Sequence, residues 1–297
     1  MTPGAAGTPG RLMIVATPIG NLEDLSPRGL RTMADADLLV CEDTRRTRAL
    51  LSSAGVPTPP LLSANEHTEA AQVETVLEHL GRGNVVAVVS DAGLPSISDP
   101  GERLVRAAAA AGFDVRVVPG PSAALSALVV SGLTTGRFVF EGFLPRSGSG
   151  RAERLVALAS EQRTMVIYEA PHRLARTLTA LADVLGGERR VALCRELTKL
   201  YEETWRGSLG GAVHRVAEHQ PRGEYVIVVE GAAAPATAGD DVLRAALSRL
   251  RDEGISTRDA VAEVAGAYDA TKRRVYELAV QAAPSSRPTG GPGSAAP

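Results

Sequence analysis

The sequence predicts an α/β protein built as two α/β units and closed by a short run of helices. Three observations carry this. Across the first 120 residues, short β-branched runs alternate with helix-length segments, the pattern of a parallel sheet with helical crossovers. After Pro119-Gly120-Pro121-Ser122 the character changes, and strand-like runs come closer together, as in mixed pairing. Residues 240–283 then carry helical patterns with no strand-like run.

Taken in order, residues 1–10 (MTPGAAGTPG) read as a disordered tail. The first unit spans 11–120. Its strands are expected at 12–16, 37–42, 61–64, 85–89 and 115–118. Ser26-Pro27 caps the first helix, and Asp43 precedes the second, which runs to Ala54 and stops at Gly55. Val85 to Val89 is continuous and apolar, as in a strand covered on both faces. In the turn after it, Asp99 reads as an N-cap with Pro100 at the first helical position. Glu66, His67 and Glu69 read as the solvated start of a helix.

The second unit spans 121–231. Ser122 opens a helix, 138–140 is a strand, and PRSGSG (145–150) is a polar loop before a basic helix at 151–160. Strands follow at 164–168, 191–194, 204–207 and 225–229. Between the first two, Pro171 opens a helix with Leu174, Leu178, Leu181 and Leu185 on one face. Arg195 to Tyr201 reads as an edge strand with alternating polar positions, or as a charged segment on the ligand side of the sheet. Residues 232–239 (AAAPATAG) form a linker, 240–283 two or three helices with Ser256 and Asp259 as a capping pair, and 284–297 a disordered tail.

Composition narrows the classes. Hydrophobic residues are 44% and aromatics 3% of 297, so the core is built from Ala, Val and Leu. The net charge of -2 advertises no global affinity for nucleic acid, which leaves local patches to do that work. Two cysteines, Cys41 and Cys194, fall in strand-like runs and read as core thiols, in keeping with a reducing cytoplasm. No apolar run is long enough for a membrane span, and the N-terminus lacks the pattern of a signal peptide.

Three Gly/Pro turns follow strands: TPIGNL, SDAGLP and PGPSAA. The last two open helices, whose free amides can hold an anionic group. Neither GxxxxGK[ST] nor GxGxxG occurs, and there is no EF-hand, GxSxG elbow or histidine cluster, so no metal site is expected. What remains is a ligand with a small charged end and a flat apolar end, such as S-adenosylmethionine or a nucleotide.

The strings VATPIGNLEDLSPRGL, CEDTRRTRALL, VVSDAGLPSISDPG, VVPGPSAALSAL, FEGFLPR, YEAPHRL and CRELTKLYEE, in that order, resemble the ribosomal RNA small subunit methyltransferase I family. That family is a branch of the tetrapyrrole-methylase superfamily. The chain departs from the pattern at Ala64 and Asn65, where bulkier Tyr-His is expected. The resemblance implies two α/β domains of tetrapyrrole-methylase type with a cofactor cleft between them, plus the helical appendix. It implies S-adenosylmethionine as methyl donor, and 2′-O-methylation of a decoding-region cytidine in 16S ribosomal RNA, offered alone or in the small subunit. It further implies a cytoplasmic homodimer.

The matching cofactor contacts are Pro18, Asp91, Ala92, Gly93, Leu94, Ser122, Ala123, Tyr168 and Glu169. For activating the hydroxyl, the candidates are Glu42, Asp43, His67 and Lys199, the last holding a phosphate or acting as a base if burial lowers its pKa. Candidate phosphate contacts are Arg45, Arg46, Arg146, Arg151, Arg195, Lys272 and Arg273. One competing expectation is a methyltransferase acting on a tetrapyrrole, whose relatives carry a GxGPGD-type loop where this chain has ATPIGN; another is a non-enzymatic RNA- or ribosome-binding protein of the same fold, against which the intact SDAGLP turn argues.

Overall fold

The computed structural model describes residues 10–233 and 238–281. Five strands, β1 (Arg11–Val15), β2 (Leu38–Cys41), β3 (Leu61–Ser63), β4 (Val85–Val88) and β5 (Asp114–Val118), form a parallel sheet in the order β3-β2-β4-β1-β5. Every residue of β2 is buried, as expected of a strand covered on both faces. The crossovers are α1 (Pro27–Ala34), α2 (Thr44–Ser53), α3 (Glu69–Gly81) and α4 (Glu102–Ala110). The chain leaves β1 toward β2 and leaves β4 toward β5, so adjacent strands β1 and β4 send their connections in opposite directions. Such a switch point opens a crevice at the carboxyl ends of the strands.

A second five-stranded sheet has the order β6-β7-β10-β8-β9. Its strands are β6 (Phe138–Phe143), β7 (Thr164–Glu169), β8 (Arg190–Arg195), β9 (Glu203–Ser208) and β10 (Tyr225–Val229). The pairing is mixed: β6 and β7 are parallel and the other pairs antiparallel. One side packs on α7 (Pro171–Leu185), whose Leu174, Leu178 and Leu181 are fully buried, with α6 (Ser149–Ala159) and α8 (Leu209–Glu218) alongside. The other carries α5 (Ala123–Val130), whose Ala127 packs among Val166, Cys194 and Val226. Cys41 and Cys194 are both buried and unpaired.

Contacts divide the chain into two compact units at residues 232/233. The second holds α9 (Asp240–Asp252), α10 (Thr257–Ala267) and α11 (Lys272–Gln281), which bury Leu243, Leu247, Val264, Val275 and Leu278 together. Ser256 caps α10 by accepting from the Asp259 amide. Residues 1–9, 234–237 and 282–297, which hold nearly all of both expected tails and half of the expected linker, lie outside the described residues.

Three local expectations are corrected. Asp99 is no N-cap: α4 begins at Glu102, because Ser96 (φ 72°) and Ser98 (φ 61°) hold the preceding chain in left-handed turns. Glu69 is not solvated but 5% exposed, and its Oε1 accepts from the amides of Gly101 (2.9 Å), Arg103 (2.9 Å) and Leu104 (3.3 Å). A carboxylate on α3 thus supplies the cap that α4 lacks locally. Glu196 to Tyr201 is a turn rather than an edge strand, with Glu196 (φ 47°) and Thr198 (φ 64°) in the left-handed region.

Candidate active site

The site is assembled from the turns that follow β1, β4 and β5. Thr17 and Gly93 exchange backbone hydrogen bonds (2.9 and 3.2 Å), and the buried Thr17 hydroxyl donates to the Ser90 carbonyl (3.1 Å). The first two turns are thereby locked together at the switch point. Gly93 has φ +82°, and a Cβ there would lie 3.4 Å from Ile19 Cγ2, so the turn requires glycine. At Gly120 the approach of β1 is the constraint: a Cβ would sit 2.8 Å from the Ala16 Cβ. Ser122 caps α5 at the Leu125 amide.

The turns after β1 and β4 border two cavities, and the turn after β5 borders one of them. One, of about 350 Å³, lies against the second sheet and is lined by Ile19, Ala92, Gly93, Leu94, Ile97, Asp99, Ser122, Ala123, Phe143, Tyr168 and neighbours. The other, of about 500 Å³, is lined by Thr17, Pro18, Arg46, Asp91, Ala92, Lys199 and Glu224 among others. The smaller has the size and character of a ligand site: apolar side chains on several sides, a few polar groups, and exposed main chain at small residues. Tyr168 stacks edge-on against Phe140 and Phe143 at 5.0 and 5.6 Å, and its hydroxyl accepts from the Ala124 amide at 3.2 Å. Burial raises its pKa.

A groove of about 1030 Å³ shares Ser98, Asp99, Phe143 and Ala170 with the smaller cavity. One wall is mostly acidic, with Glu42, Glu66, Glu69, Asp99 and Glu102 beside Arg103. The other is mostly basic, with Arg146, His172, Arg173 and Arg176 beside Glu141. The walls meet closely where β6 bulges at Gly142, since a Cβ there would lie 2.8 Å from Ser98 Oγ. Burial, with the charges of Glu42 and Asp91, pushes the Asp99 carboxyl up to about 7. Burial and Asp91 also raise Glu42.

The expected cofactor residues divide between the cavities. Gly93, Leu94, Ser122, Ala123, Tyr168 and Glu169 border the smaller, Pro18 and Asp91 the larger, and Ala92 both. Glu169 can meet a ligand there only through its main chain. Its carboxylate turns inward to the Thr177 hydroxyl (2.6 Å), the Ala170 amide (2.9 Å) and Arg173 (3.2 Å).

Two of the four activating candidates are corrected. Asp43 is the N-cap of α2, and Arg45, through its side chain and its amide, holds its carboxyl at about 2, too weak a base. Lys199 bridges Glu196 (2.9 Å) and Glu224 (2.8 Å). Burial alone would lower its pKa, but those hydrogen bonds outweigh it and raise it, so the ammonium stays charged. His67 is exposed on the Asn65 turn and borders neither cavity nor the groove, whereas Glu42 borders the groove.

Among the expected phosphate contacts, Arg151 is corrected: it is 7% exposed and donates to the Pro145 carbonyl and the Thr177 hydroxyl. Arg45 and Arg46 are exposed, paired with Asp43 (3.0 Å) and Asp91 (3.2 Å). Arg195 donates to the Arg222 carbonyl, and Arg146 stands exposed on the groove. In the C-terminal unit, Lys272 is exposed and Arg273 pairs with Glu277 at 3.3 Å. Sequence reasoning missed the positions of Asp99 and Glu224 on the cavities, because each owes its place to a turn with no periodic signature. Among the described residues no cluster of His, Cys, Asp and Glu could hold a metal ion, and no helix is long and apolar enough to cross a membrane.

A parallel sheet with small-residue turns at its switch point, facing a mixed sheet across a ligand-sized cavity, defines a two-sheet α/β protein that holds a small ligand at the strand ends. The tetrapyrrole (corrin/porphyrin) methylases match residues 11–213. Uroporphyrin-III C-methyltransferase from Thermus thermophilus, solved with S-adenyl homocysteine, shares the fold at TM-score 0.53 and 19% identity, over 74% of this chain and 96% of that one. Ribosomal RNA small subunit methyltransferase I of Synechocystis is 42% identical over 274 residues, 92% of this chain and 98% of the relative. That of Mycobacterium tuberculosis (strain CDC 1551) is 43% identical over 293 residues, with 95% and 98% covered. The chain belongs to the tetrapyrrole methylase family and, within it, to the ribosomal RNA small subunit methyltransferase I family.

Proposed function

We infer that this protein is an S-adenosylmethionine-dependent methyltransferase of small-subunit ribosomal RNA. The observation that carries the reading is the 350 Å³ cavity adjoining a larger groove with Arg146, Arg173 and Arg176 on one wall, in a chain matched along nearly its whole length by relatives of that name. We assign it, more narrowly, 2′-O-methylation of a cytidine in the decoding region of 16S ribosomal RNA, acting as a cytoplasmic homodimer.

The residues present fit the donor. Gly93 adds no side chain to the cavity wall, and Ala92, Ser122 and Ala123 add only small ones, so main chain at Ala92–Leu94 and Ser122–Ala123 is open to a ligand. Leu94, Ile97, Phe143 and Tyr168 offer an apolar lining for a flat ring system. When bound, S-adenosylmethionine supplies a methyl group already activated on a sulfonium. The protein's share is then placement, which in favourable cases lowers a barrier by about 7–11 kcal/mol. Arg146, His172 and Arg176 on the basic wall would hold phosphates and present a ribose to the cavity.

The test is methyl incorporation from labelled S-adenosylmethionine, offering small subunits, free 16S RNA and a tetrapyrrole precursor in parallel, with mass mapping of the labelled nucleotide. Label on a cytidine ribose of the decoding region is the expected outcome. Label on the tetrapyrrole alone would overturn the assignment. Size-exclusion with light scattering checks the dimer.

A further inference from the structure

We propose that Asp99 is the catalytic residue that takes the proton from the acceptor hydroxyl, because it lines both the cofactor-sized cavity and the larger groove that adjoins it. This rests on the methyltransferase reading above. Two spaces meet at Ser98, Asp99, Phe143 and Ala170, and among these Asp99 alone has an ionisable side chain. A donor in the cavity and a ribose in the groove therefore come together beside it.

Three features hold it there. The left-handed turns at Ser96 and Ser98 lift it out of α4. The close approach of Gly142 to Ser98 Oγ seats its loop against the bulge of β6. Glu69 satisfies the amides of Gly101, Arg103 and Leu104, so Asp99 is not needed as a cap.

The surroundings suit a base working near neutral pH. Burial acts most strongly against ionisation, followed by the charges of Glu42 at the end of β2 and Asp91 in the turn after β4, while the Ser90 hydroxyl partly offsets them. Across the cavity Tyr168 on β7 faces it, with Glu169, Cys194, Glu224 and Tyr225 also on that lining; in the groove Glu102 and Arg103 lie on its own wall and Glu141, Arg146, His172, Arg173 and Arg176 on the far one. A carboxyl held at about 7 is strong enough as a base and still substantially ionised at that pH.

In the step, the hydroxyl O–H bond breaks and its proton passes to Asp99. The oxygen electron pair forms the O–CH₃ bond as the S–CH₃ bond breaks and its pair stays on sulfur. The products are the methyl ether, the neutral thioether and a neutral Asp99 carboxyl, which returns its proton to water.

The experiment compares the full-length wild type with Asp99→Asn and Asp99→Glu. It reads single-turnover methylation of small subunits against pH, S-adenosylhomocysteine affinity by calorimetry, and aspartate carboxyl titration by ¹³C NMR without substrate. The wild-type rate is expected to rise about tenfold per pH unit and level off near 7. Asp99→Asn should keep its affinity within about threefold while losing a factor of about 100 to 10,000 in rate, together with the pH slope. The NMR signal titrating near 7 should disappear in that variant, and Asp99→Glu should recover part of the rate.

Several results would overturn the assignment. One is an Asn variant within threefold of wild-type rate, and another is a pH slope that survives the substitution. A loss of cofactor affinity that accounts for the whole rate loss would make Asp99 a cofactor-binding group instead. A wild type that labels no RNA would overturn the function reading itself, which separates that failure from a failure of Asp99.

Discussion

Glu69 and Asp99 exchange the roles their sequence neighbourhoods suggest. Glu69 sits at the start of its own helix, where acids are common, yet spends its carboxylate on the first amides of α4. Glu69→Ala strands three amides at a half-buried helix start. It is expected to cost about 1–3 kcal/mol, or a fall in Tm of roughly 3–10 °C, read by calorimetry. Asp99 carries the opposite sign. Its carboxyl titrates at about 7 in the folded chain against an ordinary value of 3.8. Between those values the folded state binds more protons than the unfolded one, so stability falls as pH rises through the window. Asp99→Asn is therefore expected to melt higher than wild type at about pH 8, with the difference vanishing below about pH 4. A pH-independent difference in Tm would contradict the raised carboxyl.

Elements meet at the site through loops rather than through strand pairing. The turn after β1 docks on the Glu196–Tyr201 turn of the second sheet: the Asn21 amide donates to the Thr198 hydroxyl at 3.2 Å. Lys199, tied to Glu196 and Glu224, runs beside Gly20. A Cβ on Gly20 would collide with Lys199 Cγ and lie 3.1 Å from the Leu197 carbonyl. Gly20→Ala should push the two turns apart and weaken S-adenosylhomocysteine binding about tenfold or more by calorimetry, while far-ultraviolet circular dichroism stays unchanged. Unaltered affinity would show that this contact does not shape the cavity.

At the scale of the molecule, the cavity draws walls from both sheets, so a ligand there stabilises residues of each. At about 100 times its Kd, S-adenosylmethionine is expected to contribute about 2.7 kcal/mol and raise Tm by roughly 5–10 °C, measured by scanning calorimetry. Affinity for RNA should depend on local basic groups, since the net charge is only -2. Binding to 16S RNA is expected to weaken steeply between low and physiological salt, and Arg146→Ala to lower the slope of log K against log salt by about 1. Flat salt dependence would argue against phosphate contact along the groove.

What the sequence determined by itself was the order of elements and the chemistry of the turns. Buried strands such as Leu38–Cys41 announce themselves as continuous apolar runs, helix caps at Ser26, Asp43, Ser122 and Ser256 as small polar residues before a periodic face, and the turns after β1, β4 and β5 as Gly and Pro at strand ends. Each is a local signal, set by backbone geometry and by what a strand or helix must bury. Only the tertiary structure decided which charges are available. Arg151 reads as a phosphate contact and is spent inside the second sheet's unit, the Glu169 carboxylate turns away from the cavity its residue borders, and Lys199 is locked as a cation between two carboxylates. Asp99 reads as a helix cap and stands at the mouth of the cavity. A side chain's protonation and partners depend on burial and on charges distant in sequence, here Glu42, Asp91 and Glu69 around one turn, and no pattern along the chain encodes those distances.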